Sequence, residues 1–341
     1  MISRYWKVSH LFLYVFLFGI INGEKLDLTL AEIESHYNTM RHITLDSTNT
    51  VEVNGFSIKK DVATFELKFG RLYFFKPVAD RIIAAYFEGT GTFHLSTDNR
   101  IEKQQIVRFA GQDKLDQEFE KALFFFTDST YEQISHFQTI DRLGIPDTVQ
   151  ETALIFRQKI RERFSWNVDA RMLADIVEPG RGHFFSAYLE CLDDDELLYL
   201  IDPLDDEEVT LLKHEKIKFS TRADFETWYS SDPVQSLSQE KQEFDIDRLQ
   251  MNIEIEANRR LSVNALMYFR CLSGSAHIVA LHLEHVLRVE SAVLGDADTC
   301  LVIQEDKGED SQVWLVFPYH LENGKEYELT LAYSGEGLIN D

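Results

Sequence analysis

Basic residues are scarce in this chain. Its 34 Lys and Arg stand against 58 Asp and Glu, a formal net charge of -24 over 341 residues, whereas a phosphate-binding surface needs clustered cations. Nucleic acid is not an expected partner, and acidic ligands are disfavoured. Cysteine is rare too. Cys191, Cys271 and Cys300 allow at most one internal disulfide, so the fold does not rest on a disulfide framework. Cys271 and Cys300 fall in the same expected domain and are the one pair worth weighing; the sequence does not say whether their Cα atoms come within reach. No N-x-S/T sequon occurs, so nothing asks for glycosylation.

A complete zinc-peptidase motif is also missing. The stretch LLKHEKIKFS contains His214-Glu215, but Lys218 stands where a second histidine would complete H-E-x-x-H. That motif works because residues one helical turn apart offer two imidazoles to one metal and leave the Glu as general base. A protonated ammonium cannot ligate zinc and repels it. Ile217 and Phe219 alternate with Lys216, Lys218 and Ser220, which predicts a strand with a solvated His-Glu pair at its start.

Long apolar runs are limited to one. Leu11 to Ile21, behind Arg4 and Lys7 and ahead of Asn22-Gly23, reads as an export signal over residues 1–23. The run is shorter than the ~20 residues that span a bilayer, which favours a cleaved signal and a secreted, periplasmic or cell-envelope location. Membrane association is expected only if the segment stays uncleaved.

What is present is apolar enough to fold: 44% of residues are hydrophobic and 12% aromatic. The patterning predicts a mainly β protein with some helix, an α+β chain. An N-terminal β-meander domain with helices covers 24–229. A polar stretch at 230–244 reads as a linker, an antiparallel β-sandwich covers 245–335, and 336–341 is a tail. VEVNGFSIKK, ATFELKFGRLYFFK and RIIAAYFEGTGTFHLS read as strands, with Asn54-Gly55, Gly70, Pro77 and Gly89-Thr90-Gly91 as punctuation. Helices are expected over Leu26–Met40 and over TVQETALIFRQKIRERF, where Ala153, Phe156, Ile160 and Phe164 share a face. QDKLDQEFEKAL, with Leu115, Phe119 and Leu123, is assigned to a helix on the same ground. Another should begin with Asp169 as its N-cap. Between Asp245 and Gly335 strict alternation, including Ile253 and Ile255, and the turn Glu322-Asn323-Gly324 predict two packed sheets with one wet face each.

FDIDRLQMNIEIEANRRLSVNALMYFRCL, AHIVALHLEHVLRVESAVLG and VWLVFPYHLENGKEYELTLAYSGEG together resemble the N-terminal β-sandwich of the aminopeptidase N family of zinc metallopeptidases. The preceding region, with GRLYFFKPVADRIIAAYFEGTGTFHL, IVRFAG, ALFFFTDST and ARMLADIV, is similar to an extra domain ahead of that sandwich in some secreted bacterial members. The resemblance implies a zinc-bearing helical domain beyond the sandwich, with H-E-x-x-H and a G-x-M-E-N strand. Neither motif occurs in this sequence, so no family residue has a position here to land on. No catalytic, cofactor-binding or metal-binding residue is assigned, and no cofactor is expected. The implied chain is a fragment, a truncated paralogue, or one half of a pair whose catalytic domain is a separate polypeptide.

Other constellations weigh toward structure. His282 and Glu284 share a strand face while His285 points away, against a single metal. The acidic runs Asp193-Asp194-Asp195-Glu196 and Asp205-Asp206-Glu207-Glu208 lack calcium-loop spacing. EGTGTFH and EPGRGHFF lack a phosphate-loop ending, and turn glycines account for both; His183 reads as structural. No G-x-S-x-G elbow accompanies the serines. The expected function is thus a non-catalytic exported module that scaffolds or gates a peptidase domain, and it should expose an apolar patch larger than about a few hundred Å² on one sandwich face or edge. The alternative is an autonomous envelope module that binds a peptide by edge-strand addition, or a glycan through Trp228-Tyr229. An enzyme using meander carboxylates requires two of them to converge in a cleft.

Overall fold

The computed structural model describes residues 28–336, apart from 138–139, 142–143, 164–166, 180–182, 194, 206, 216–223, 232–243, 257–259, 273–275 and 306–309. Residues 1–23, read above as an export signal, most of the expected linker 230–244, Lys218, Phe164 and the glycines of EPGRGHFF lie outside these residues. His183, described, is exposed.

Nine strands form one antiparallel sheet: β1 (Leu45–Lys60), β2 (Ala63–Phe75), β3 (Ala84–Leu95), β4 (Leu115–Phe126), β5 (Ile140–Asp141), β6 (Phe185–Cys191), β7 (Glu196–Ile201), β8 (Val209–Glu215) and β9 (Asp224–Ser231). Their order, β5-β1-β2-β3-β4-β6-β7-β8-β9, is a meander with β5 added outside β1. The sheet curls on itself: the Phe65 ring on β2 lies 5.8 Å from those of Phe185 on β6 and Tyr199 on β7. Inside the curl sit Phe65, Phe74, Phe93, Phe124 and Phe126. Tyr73, Phe75, Tyr86, Leu123 and Phe125 face the other way, onto helices. Burial on both faces explains why β4 ends in the unbroken apolar run ALFFF.

Among the described residues five helices accompany the sheets: α1 (Leu30–Arg41), α2 (Arg100–Ala110), α3 (Thr130–Phe137), α4 (Asp147–Arg163) and α5 (Val168–Val177). Thr29 and Glu32 form a capping box at α1. Four expectations are corrected. QDKLDQEFEKAL is strand β4, not a helix, because it pairs with β3 on one edge and β6 on the other. The N-cap of α5 is Asn167, whose side chain accepts from the Ala170 N–H at 3.0 Å, while Asp169 sits inside the helix and pairs with Arg157 at 2.8 Å. The glycines of EGTGTFH are not turn glycines but lie within β3, where a Cβ on Gly91 would sit 2.3 Å from the Phe119 ring. Asn54-Gly55 likewise lies inside β1, with Gly55 in the left-handed region.

The remaining strands are β10 (Phe244–Ile255), β11 (Leu261–Cys271), β12 (Ile278–His282), β13 (Leu287–Leu294), β14 (Asp298–Thr299), β15 (Leu301–Ile303), β16 (Gln312–Val316) and β17 (Glu326–Gly335). They make a five-stranded sheet, β10-β11-β17-β13-β14, and a three-stranded sheet, β12-β16-β15. Val263, Ala265, Phe269, Leu329 and Leu331 of the larger sheet meet Val279, Val313 and Leu315 of the smaller in one core. The mainly β, α+β architecture with a sandwich is therefore as expected. Cys191, Cys271 and Cys300 are buried and none is in a disulfide, so no bridge joins Cys271 to Cys300. The other side of the three-stranded sheet is also covered: Ile278, Ile303, Trp314 and Val316 share a buried cluster with Ile33 and Met40 of α1 and Leu173 and Ile176 of α5. Helices α1, α4 and α5 are thus packed between the nine-stranded and the three-stranded sheets, whereas Ile106 of α2 and Ile134 of α3 join the cluster inside the curl.

Candidate functional site: the uncovered face of β10

The two sandwich sheets are unequal, and the imbalance falls on β10. In the sequence Phe244 to Ile255, apolar side chains alternate with polar ones, as on a strand with one buried face. Pairing with β11 sets Ile246 opposite Phe269, Leu249 opposite Met267, Met251 opposite Ala265, Ile253 opposite Val263 and Ile255 opposite Leu261. A bulge between Ile246 and Arg248 shifts the apolar positions from even to odd numbers and keeps the row on one face. That is the face on which β11 and β17 bury their own apolar residues against the smaller sheet. Three strands do not cover five. Ile246, Leu249, Met251, Ile253 and Ile255 are 45 to 61% exposed, and the Met251 sulfur has the Tyr333 hydroxyl of β17 for a neighbour, 3.9 Å away.

The expectation of a dry inner face on every sandwich strand is therefore corrected at β10, where this face is wet. Full burial of a Leu or Ile is worth about 1.5–3 kcal/mol, so covering five half-exposed side chains would gain on the order of 1 kcal/mol each. Contiguous apolar surface of this kind marks an interaction site. Alternation identified the face, but no signal in the sequence tells how many strands the opposing sheet supplies.

The other candidates are dispersed and internally satisfied. His214 lies at the end of β8, not at the start of a strand, and it is not solvated: its side chain is 10% exposed and its Nδ1 is 3.2 Å from Glu196. Glu196 also accepts from the Tyr188 hydroxyl at 2.6 Å and from Lys159 at 2.9 Å. Across the strands from Glu196 stands Glu190, held by Lys121 at 2.5 Å. These meander carboxylates do converge, yet each already holds a cation. His282 ends β12 exposed, and His285 contacts Glu284 at 2.5 Å. Among the described residues no three His, Cys, Asp or Glu come together as a metal site. Asp195 pairs with Lys213.

Tyr229 is fully buried and its hydroxyl donates to Glu102 at 2.7 Å. Trp228 stacks on Phe109 at 5.7 Å and carries Lys213 over its ring at 4.6 Å, so it does not offer a free glycan platform. A cavity of about 660 Å³ beside Asp61, Asp98 and Glu102 has Glu102 engaged by Thr97 at 2.6 Å and Asn99 at 2.7 Å. A second cavity of about 560 Å³ is lined by Arg41, Arg157 and Arg161; Arg157 is paired with Asp169, and Arg41 with Glu305. Burial lowers the affinity of Arg157 for its proton, against the pull of Asp169. No helix among the described residues is long and apolar enough to cross a membrane.

Comparison with known proteins gives structural neighbours only. These are M1 zinc metallopeptidases, and the match is weak. An M1 zinc metallopeptidase from Deinococcus radiodurans, with a bound Tyr-Ser-Ala substrate, shares 17% identity over 30% of this chain and 22% of its own, with a TM-score of 0.25. A two-domain M1 zinc metallopeptidase bound to L-arginine shares 19% over 29% and 22%, with a TM-score of 0.24. This chain thus spans less than a quarter of the length of those proteins. No protein-family model matches the sequence, and no curated protein does either.

Proposed function

We propose that this chain is a non-catalytic, exported scaffold module that receives, on the uncovered face of β10, the catalytic domain of an aminopeptidase-N-like zinc metallopeptidase. The apolar row Ile246, Leu249, Met251, Ile253 and Ile255 carries the reading, because an isolated sandwich would gain by covering it and nothing described in this chain does so. The resemblance of the sequence from Phe244 to Gly335 to the sandwich of that family supports a partner of this kind. The apolar segment Leu11–Ile21 supports export.

The test is to supply the chain to a separate polypeptide bearing H-E-x-x-H and to follow hydrolysis of aminoacyl substrates. The chain alone should be inactive, the wild type should change kcat or KM of the catalytic polypeptide severalfold, and Ile253→Glu should not. Chelator-sensitive hydrolysis by the chain alone, or equal behaviour of wild type and I253E, would overturn the reading.

A further inference from the structure

We infer that the open edge of β10 pairs with β10 of a second copy of this chain, antiparallel about a two-fold axis at Met251. This rests on the docking reading only in sharing its strand: a partner domain would lie on the face, whereas the second copy takes the edge. β11 occupies one edge of β10 along its whole length, and no strand among the described residues pairs with the other. Such an edge presents a row of free N–H and C=O groups to another strand.

The sequence of the edge selects its occupant. From Arg248 to Ile255 the strand has no bulge, with apolar side chains at odd positions and Arg248, Gln250, Asn252 and Glu254 between them. Self-pairing must match odd with odd, or the apolar row of one copy meets the polar row of the other. With Met251 on the axis, Leu249 stands opposite Ile253 of the second copy and Gln250 opposite Asn252. Arg248, the only basic residue of the strand, falls opposite Glu254, and symmetry makes that pair twice. Directly opposed side chains have Cβ atoms about 4.5–5.5 Å apart, close enough for an ion pair. Both groups are exposed, Arg248 lying over the Tyr268 ring at 4.0 Å on the outer face.

Neighbouring registers are poorer. A shift of two residues one way faces Arg248 with Asn252, and a shift the other way faces Glu254 with Gln250 and carries Arg248 to Glu256, which lies beyond the last residue of β10. Parallel pairing in register would oppose like charges at both positions. In the antiparallel register the two five-stranded sheets become one, and Leu249, Met251, Ile253 and Ile255 of both copies join across the axis into a face twice as wide.

Sedimentation velocity of the full chain, over a range of concentrations, tests this with wild type, Arg248→Glu, Glu254→Arg and the double variant. The wild type should dimerise. Each single reversal should raise the dimer Kd on the order of tenfold, since two attractive cross-strand pairs become repulsive, and R248E/E254R should restore it. A monomer throughout, a dimer indifferent to the reversals, or a double variant that stays weakened would each overturn the inference. A monomer that instead binds an extended apolar peptide in an R248E-sensitive way would give the edge to a peptide. None of these results bears on whether the face binds a catalytic domain, which the hydrolysis experiment reads separately.

Discussion

Glu178, the residue after α5, accepts from the backbone N–H of Ile278 at 3.1 Å at the start of β12. It accepts from His277 N–H as well. One carboxylate thereby joins the helical layer to the sandwich, beside the shared cluster of Leu173, Ile176, Ile278 and Trp314. Glu178→Ala should cost about 1.5–3 kcal/mol, the range for hydrogen bonds to a charged group. Chemical denaturation checks this, and the unfolding transition of the wild type should be single, because the two sheets share a core.

Arg171 is buried between two carboxylates, with Asp202 at 2.7 Å and Asp175 at 2.5 Å. Burial alone would lower its proton affinity, yet Asp202 and Asp175 hold it above the ordinary value. Asp175 in turn accepts from the Phe184 N–H at 2.9 Å. Arg171→Met keeps the volume and strands two buried acids, so it should destabilise the fold by about 3–5 kcal/mol. A loss within a few tenths of a kcal/mol in a urea titration would contradict the assigned role.

The thiols should be silent until the protein unfolds. Burial, followed by Asp193 and Asp195, pushes Cys191 up to about 12, and burial pushes Cys300 up to about 11. Both remain neutral in the fold where an unfolded thiol ionises near about 8.5. Their contribution to stability is therefore complete below that pH and declines as pH rises toward 11 to 12. Ellman's reagent should label none of the 3 cysteines quickly at pH 8 and all of them in denaturant.

Gly91→Ala should destabilise β3 by about 1–3 kcal/mol through overpacking, because the added Cβ meets the Phe119 ring at 2.3 Å. Gly91→Ala combined with Phe119→Leu should recover part of that loss. Thermal denaturation of the pair of variants reads both effects.

Much of the meander and sandwich was legible, because period-two patterning reports strands directly. Leu115, Phe119 and Leu123 show where it fails. A spacing of four residues satisfies the helical period of 3.6 and the strand period of 2 alike, and only the hydrogen-bonding edges of β3 and β6 decide for a strand. Helix α2 went unassigned although its Asn99 cap and its left-handed Gly111 were both readable. The wet face of β10 was the least legible feature. Ile253 and Ile255 carry the alternation of a core strand, and whether a second sheet reaches them depends on the strand count of that sheet, which no residue of β10 encodes.

Docking on that face has a calorimetric signature. Titration of the catalytic polypeptide into this chain at several temperatures should give a negative heat-capacity change from apolar burial, and Met251→Glu with Ile253→Glu should weaken binding and shrink that change. Binding of equal affinity and equal heat-capacity change to both forms would contradict the assignment of β10 as the docking surface.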